Sequence, residues 1–180
     1  VLFPDAALTI EPGVEIRFNQ NTSLNIRGNL IAEGTAEKKI TFTSNVQPPA
    51  KGNWGGIKIE NSVGGKASLK FVQIYYAGNG LSVQCCNAGG PVSIADSLFK
   101  ENTTGVGDYS GWAVTIDRTT FENNTNAVTN ADKKISNSIF KNNTYGLYKT
   151  ERVDVTGSTF NGHKTAIWGS RGSLTRNIIA

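Results

Sequence analysis

Six segments of the 180-residue chain align with one another without a gap, and no other feature restricts the fold as much. They begin at Leu69, Ile94, Ile116, Ile135, Val155 and Leu174, the last being truncated. Successive starts are therefore 25, 22, 19, 20 and 19 residues apart. Five residues after each start stands Ile74, Phe99, Phe121, Phe140, Phe160 or Ile179. Eight residues on come Asn102, Asn124 and Asn143, with Ala77 and His163 as exceptions. Three on, the residue is usually small and polar: Ser97, Thr119, Ser138, Ser158. Eleven and twelve on, Gly or Ala precedes an aliphatic residue.

A unit of about 20 residues, made of short strands and tight corners, cannot bury its own apolar face. Stacked on copies of itself it can, with like residues on like at the strand spacing of about 4.8 Å. The Phe column then becomes an internal stack, and the Asn column a ladder of amides along the axis. The expected fold is all-β: a parallel β-helix. The chain has 19 Asn, 18 Thr and 20 Gly, so 57 of its 180 residues belong to three poor helix formers. Asn and Gly also tolerate the left-handed corners that chained short strands require. This argues against Rossmann and TIM-barrel enzymes.

The first part of the chain is less regular in the same way. Leu8–Ile10, Val14–Phe18, Leu24–Ile26, Ile40–Phe42 and Ile57–Ile59 alternate apolar with polar residues, the signature of half-buried strands. Turns fall at 11–13, 27–29 and 33–35, and residues 45–53 read as a loop leaving a corner. The count comes to about nine coils in one domain, 1–180, with no linker.

The text of residues 8–18, 28–35, 40–44 and 52–57 (LTIEPGVEIRF, GNLIAEGT, ITFTS, GNWGGI) resembles the right-handed parallel β-helix repeat family with the pectin-lyase-like fold, and so do the later Asn-rich segments. The resemblance implies a right-handed single-stranded solenoid. The family spans pectin-degrading enzymes, tailspikes, adhesins and extracellular scaffolds, so fold alone does not assign activity. The chain is closest in character to the non-enzymatic, adhesin-like branch. The hydrolase motifs of the family reduce here to Asn161-Gly-His163-Lys164, and His163 occupies a position of the Asn column. Asp96, Asp108, Asp117, Asp132 and Asp154 fall at different repeat positions, so no calcium cluster of the lyase kind is expected.

One acidic constellation survives. Sixteen residues from successive starts stand Ser110, Asp132, Glu151 and Arg171. Two carboxylates about 5 Å apart are the acid and nucleophile of retaining glycoside cleavage, so Asp132 and Glu151 are the catalytic pair if the chain is an enzyme. Thirteen on stand Thr129, Tyr148 and Trp168, a strip able to stack on sugar rings. Tyr148, Trp168, Lys149 and Arg171 are accordingly the candidate carbohydrate contacts. The competing reading is a salt-bridged face, because Lys133, Lys149, Arg152 and Arg171 surround the acids. Charges also alternate in other columns, Lys100/Glu122/Lys141 and Asp96/Arg118, as register-setting pairs do.

One His, no Met and two Cys make no usual metal site, and no cofactor is expected. The adjacent Cys85 and Cys86 form a strained vicinal disulfide, remain free, or pair elsewhere. Sequons begin at Asn21, Asn102, Asn123 and Asn142. Alternation turns Asn102 inward, leaving Asn123, Asn142 and Asn21 as glycosylation candidates. A net charge of +4 without a basic block is a solvated surface and no nucleic-acid footprint. No apolar run is long enough to insert in a membrane. The chain reads as a piece of a secreted or cell-surface protein, an extracellular binding or structural module. Its expected partners are further coils or domains of a parent chain, neighbouring subunits, and a polysaccharide or glycan. The alternative is a polysaccharide lyase or glycoside hydrolase acting on the Tyr148/Trp168 face.

Overall fold

A computed structural model describes residues 1–60, 63–84, 90–108, 114–130 and 133–180. Three parallel sheets wind around one apolar core. The first holds β1 (Ala7–Ile10), β4 (Asn29–Glu33), β7 (Lys66–Lys70), β10 (Val92–Ala95), β13 (Val114–Asp117), β16 (Lys133–Ser136), β19 (Val153–Thr156) and β22 (Gly172–Thr175), stacked in that order. The second holds β2 (Glu15–Phe18), β5 (Ile40–Ser44), β8 (Val72–Tyr75), β11 (Leu98–Lys100), β14 (Thr120–Glu122), β17 (Ile139–Lys141), β20 (Thr159–Asn161) and β23 (Ile178–Ile179). The third holds β3 (Ser23–Ile26), β6 (Gly56–Glu60), β9 (Asn79–Gln84), β12 (Thr104–Asp108), β15 (Asn126–Thr129), β18 (Tyr145–Tyr148) and β21 (Thr165–Trp168). The chain visits the sheets in rotation, which is a parallel β-solenoid, right-handed as crossovers between parallel strands are.

With three strands per coil, the described strands make seven complete coils and two strands of an eighth, fewer than the nine expected. The excess arose at the N-terminal end. Leu8–Ile10, Val14–Phe18 and Leu24–Ile26 alternate alike, yet they are the three sides of a single coil. Alternation marks a strand without saying which sheet it joins.

The repeat register is that of the stacking. Leu69, Ile94, Ile116, Ile135, Val155 and Leu174 pair in sequence, one per coil. The column from Ile74 through the four Phe residues to Ile179 does the same. Phe99, Phe121, Phe140 and Phe160 are fully buried and stacked, with centroids 5.2, 5.1 and 4.3 Å apart. The Gly or Ala column explains itself in space. A Cβ on Gly105 would lie 2.9 Å from the Phe121 ring, and one on Gly146 the same distance from Phe160.

Two polar ladders run beside the apolar columns. In the Asn ladder each side-chain oxygen accepts from the backbone N–H of the preceding coil's ladder residue: Asn124 from Asn102 and Asn143 from Asn124, at 2.9 and 2.8 Å. Each side-chain NH₂ donates to a carbonyl beside the ring column, Asn102 to Ile74, Asn124 to Phe99 and Asn143 to Phe121. The small polar residues of the earlier corner form the second ladder. Ser138 Oγ accepts from Thr119 N–H and Ser158 Oγ from Ser138 N–H. These bonds satisfy backbone groups that the corners remove from the sheets. The corners themselves are left-handed: φ is positive at Phe71, Asp96, Arg118, Asn137, Gly157 and Arg176 after the first sheet, one residue per coil.

Candidate binding surface

The third sheet presents an aromatic surface near the C-terminal coils. Thr129, Tyr148 and Trp168 pair in register, as the sequence spacing requires. In β18 two consecutive residues, Gly146 and Leu147, both face the core. The strand therefore bends, and Tyr145 and Tyr148, three residues apart, both reach the outside. Their rings lie 4.8 Å apart at 47°, and Tyr145 lies 6.4 Å from Trp168. Tyr145 stands ten residues from its repeat start, outside the column of Tyr148 and Trp168. Its own column is otherwise Asn79, Thr104, Asn126 and Thr165, so the aromatic outlier was visible there.

Trp168 is 53% exposed, an unusual placement for so large an apolar ring. Lys149 occupies the left-handed corner directly after Tyr148, and its N–H donates to the Trp168 carbonyl at 2.8 Å. Its ammonium stands 5.2 Å from the centre of the Tyr148 ring. The surface thus combines three flat apolar faces with one cation on a backbone fixed by ladder bonds. Such a combination stacks on the C–H faces of sugar rings and offers donors to their oxygens.

Arg171 lies one corner further on. Its N–H donates to the Thr150 carbonyl, and its own carbonyl accepts from Val153 N–H. One residue here opposes two, Glu151 and Arg152, because the corner from Tyr148 to Val153 is one residue longer than that from Trp168 to Gly172. This is the geometry of a bulge, which re-aims side chains. Glu151 and Arg171 are exposed and line an open depression of about 760 Å³ with Arg152, Asp154 and Ser173. Asp132, the other acid of the catalytic reading, lies outside the described residues, as do Cys85, Cys86 and Ser110. Lys133 is buried, and its ammonium donates to the carbonyls of Thr129 and Asn130 at 2.8 Å each.

The other charged columns form ion pairs. Glu122 Oε1 stands 3.6 Å from Lys100 and 3.7 Å from Lys141. Arg118 bridges Asp96 on the coil before at 2.7 Å and also pairs with Asp117. The hydrogen bond from Arg118 holds the Asp96 carboxyl below the usual carboxylate range. Asp117 Oδ1 accepts from Ser136 Oγ and from the Asn137 amide. Asp96, Asp117 and Glu122 are thus each bound to side chains of neighbouring coils.

His163 takes the place of an Asn in the buried ladder, its Nδ1 lying 3.1 Å from both the backbone nitrogen and the carbonyl oxygen of Asn143. Burial lowers its pKa below the ordinary 6.5. Of the sequon asparagines, Asn102 is fully buried while Asn21 and Asn142 are exposed. Asn123 is half-buried, and its amide donates to Glu101 at 2.9 Å. Among the described residues, no group of three or more His, Cys, Asp or Glu could hold a metal ion, and no helix is long and apolar enough to cross a membrane.

Compared with curated proteins and with solved structures, the chain shows no significant match. Residues 1–80 match the family model described as the pectate-lyase like beta helix domain. That match and the three parallel sheets, which continue the same solenoid as far as Ile179, together support a right-handed parallel β-helix repeat family for this chain.

Proposed function

We propose that the chain is a non-enzymatic extracellular binding rod that holds a polysaccharide or glycan against Tyr145, Tyr148 and Trp168. The carrying observation is the exposed aromatic cluster of β18 and β21, fixed on coils whose Phe column and Asn ladder are buried. Rigid aromatic faces lose little conformational entropy on binding, so a few of them suffice for weak carbohydrate contact. Lys149 and Arg171 add donors at the margin, and their charge favours an acidic polysaccharide over a neutral one.

Affinity electrophoresis of the chain through gels containing pectin, homogalacturonan or a neutral β-glucan tests this reading. Retardation is expected, strongest for the acidic polymers, and Trp168→Ala should abolish it without lowering the melting temperature. Unretarded migration in every gel would overturn the proposal. Release of reducing or unsaturated ends, lost on Glu151→Gln, would instead make the surface that of a glycoside hydrolase or lyase. The bulge that places Glu151 opposite Arg171, beside the aromatic cluster, is the observation that keeps this second reading in play.

A further inference from the structure

A second surface, on a different sheet and nearer the N-terminus, has the makings of a ligand site. The outward residues of β2, β5 and β8 form its floor. Ile16, Phe42 and Ile74 point inward, so Glu15, Arg17, Thr41, Thr43 and Tyr75 point out. Tyr76, at a left-handed corner with φ 60°, sets its ring 6.0 Å from that of Tyr75 at a tilt of 36°. The loop 45–53 forms the rim through Gln47 and Pro49. Together they enclose a groove of about 270 Å³.

The rim is held in place at several points. Asn45 N–H donates to the Phe18 carbonyl and its amide to Asn19 Oδ1. Val46 N–H donates to Ser44 Oγ at 3.0 Å, and Asn53 Oδ1 accepts from Ala50 N–H. Lys51 reaches Glu101 two coils on, at 3.8 Å. Immediately after the loop, Trp54 is fully buried, stacks on Phe18 at 4.1 Å, and donates its indole N–H to the Tyr75 carbonyl. The loop is therefore tied to the strand that carries the tyrosines, and the groove is preorganised.

From this geometry we infer that the groove binds a single neutral pyranose ring, free or at the end of a glycan. The volume is at the lower edge of small-molecule sites, which run from about 300 to 1,000 Å³, so it suits one sugar ring and not a polymer segment. Two tilted phenol rings supply stacking faces. Two threonine hydroxyls, the Gln47 amide and the Tyr75 hydroxyl supply both donors and acceptors, the pattern that sugar hydroxyls need. Burial, followed by the proximity of Tyr76 and Glu122, raises the Tyr75 pKa and keeps its phenol protonated as a donor. The only charges in the lining are Glu15 and Arg17, paired with one another at 2.5 Å, so the groove offers no net charge to a uronate. The Glu15 carboxylate remains able to accept from a vicinal diol.

This site differs from the aromatic surface of β18 and β21 in sheet, coil and charge preference, so the two are separable by experiment. Saturation-transfer NMR on the full chain, with methyl glucoside, galactoside, mannoside and xyloside and with methyl galacturonoside as probes, tests the inference. In the Trp168→Ala chain, whose β18/β21 surface is disabled, at least one neutral glycoside should show transfer, at least fivefold stronger than the galacturonoside. Tyr76→Asn keeps a residue suited to the left-handed corner and should remove that signal. Thr43→Val, of equal volume, should weaken it several-fold, and both losses should be seen again in the Trp168→Ala background, where the β18/β21 surface no longer contributes. The inference fails if no neutral glycoside gives transfer, if the galacturonoside gives the strongest signal, or if Tyr76→Asn, still folded by circular dichroism, retains it. Loss of the signal in Trp168→Ala would reassign it to the other surface and equally overturn this one.

Discussion

Phe121 lies between Phe99 and Phe140, 5.2 and 5.1 Å from each, with no exposed surface. Removing its ring opens a cavity that the neighbouring coils cannot close without losing register. Phe121→Ala should therefore cost about 3–5 kcal/mol, measured by denaturant unfolding. The opposite error is also punished. Gly105 has no room for a Cβ beside the Phe121 ring and the Ala127 carbonyl, so Gly105→Val should destabilise by about 1–3 kcal/mol through overpacking. Glycan acceptors follow the same inward–outward logic. In a glycosylating host, peptide mapping should find Asn142 and Asn21 occupied, Asn123 less so because Glu101 holds its amide, and Asn102 empty. Occupancy at Asn102 would contradict the burial of the ladder.

At the scale of the element, the ladders matter more than any single contact, because each member satisfies backbone groups on its neighbour. His163 is the weak rung. It accepts from Asn143 N–H, as the Asn rungs do, only in the neutral tautomer that leaves Nδ1 without a proton. Its pKa in the folded chain is lowered from 6.5, chiefly by burial. The unfolded chain thus takes up the proton first as the pH falls, and stability present above pH 6.5 is lost progressively below it. It is the only histidine in the chain and, among the described groups with a shifted pKa, the one that titrates in this range. His163→Asn should restore the repeat's own ladder residue and flatten the melting temperature between about pH 6.5 and 5, in the range where unperturbed carboxylates stay charged. A slope that survives the substitution would show that another group carries it.

Taken whole, the molecule is a one-dimensional stack in which each coil pairs its strands with the coils above and below, and the 45–53 loop reaches one coil further through Lys51 and Glu101. Its stability should be graded along the axis. Phe99, Ile116, Phe121, Ile135 and Phe140 are buried in the middle coils, whereas Leu174, Ile178 and Ile179 of the eighth are 46–63% exposed. Hydrogen exchange should accordingly find β22 and β23 of this 180-residue chain unprotected and β10 to β17 slowest to exchange. Uniform protection would indicate that the stack opens as one cooperative unit. The two proposed ligand surfaces lie on different sheets and several coils apart, so a change at one should not propagate to the other through such a nearest-neighbour stack.

The repeat itself, read from spacing alone, determined the core column, the Asn ladder with His163 within it, and the paired charges of Lys100, Glu122 and Lys141. Each of these depends on like residues meeting like at a constant offset, and a linear pattern encodes that directly. Where the offset is irregular, the linear pattern loses its meaning. The N-terminal strands alternate identically whichever sheet they enter, so alternation does not show that the six strands from Ala7 to Glu60 make only two coils. The corner at 149–152 contains one residue more than its neighbour, so a constant offset breaks down there, and the bulge sets Arg171 opposite both Glu151 and Arg152. Tyr145 reaches the aromatic surface only because β18 bends at Gly146 and Leu147. The groove under the 45–53 loop brings Arg17, Thr43 and Tyr76 together from three coils, a closeness set by the closing of the solenoid and by no local pattern in the chain.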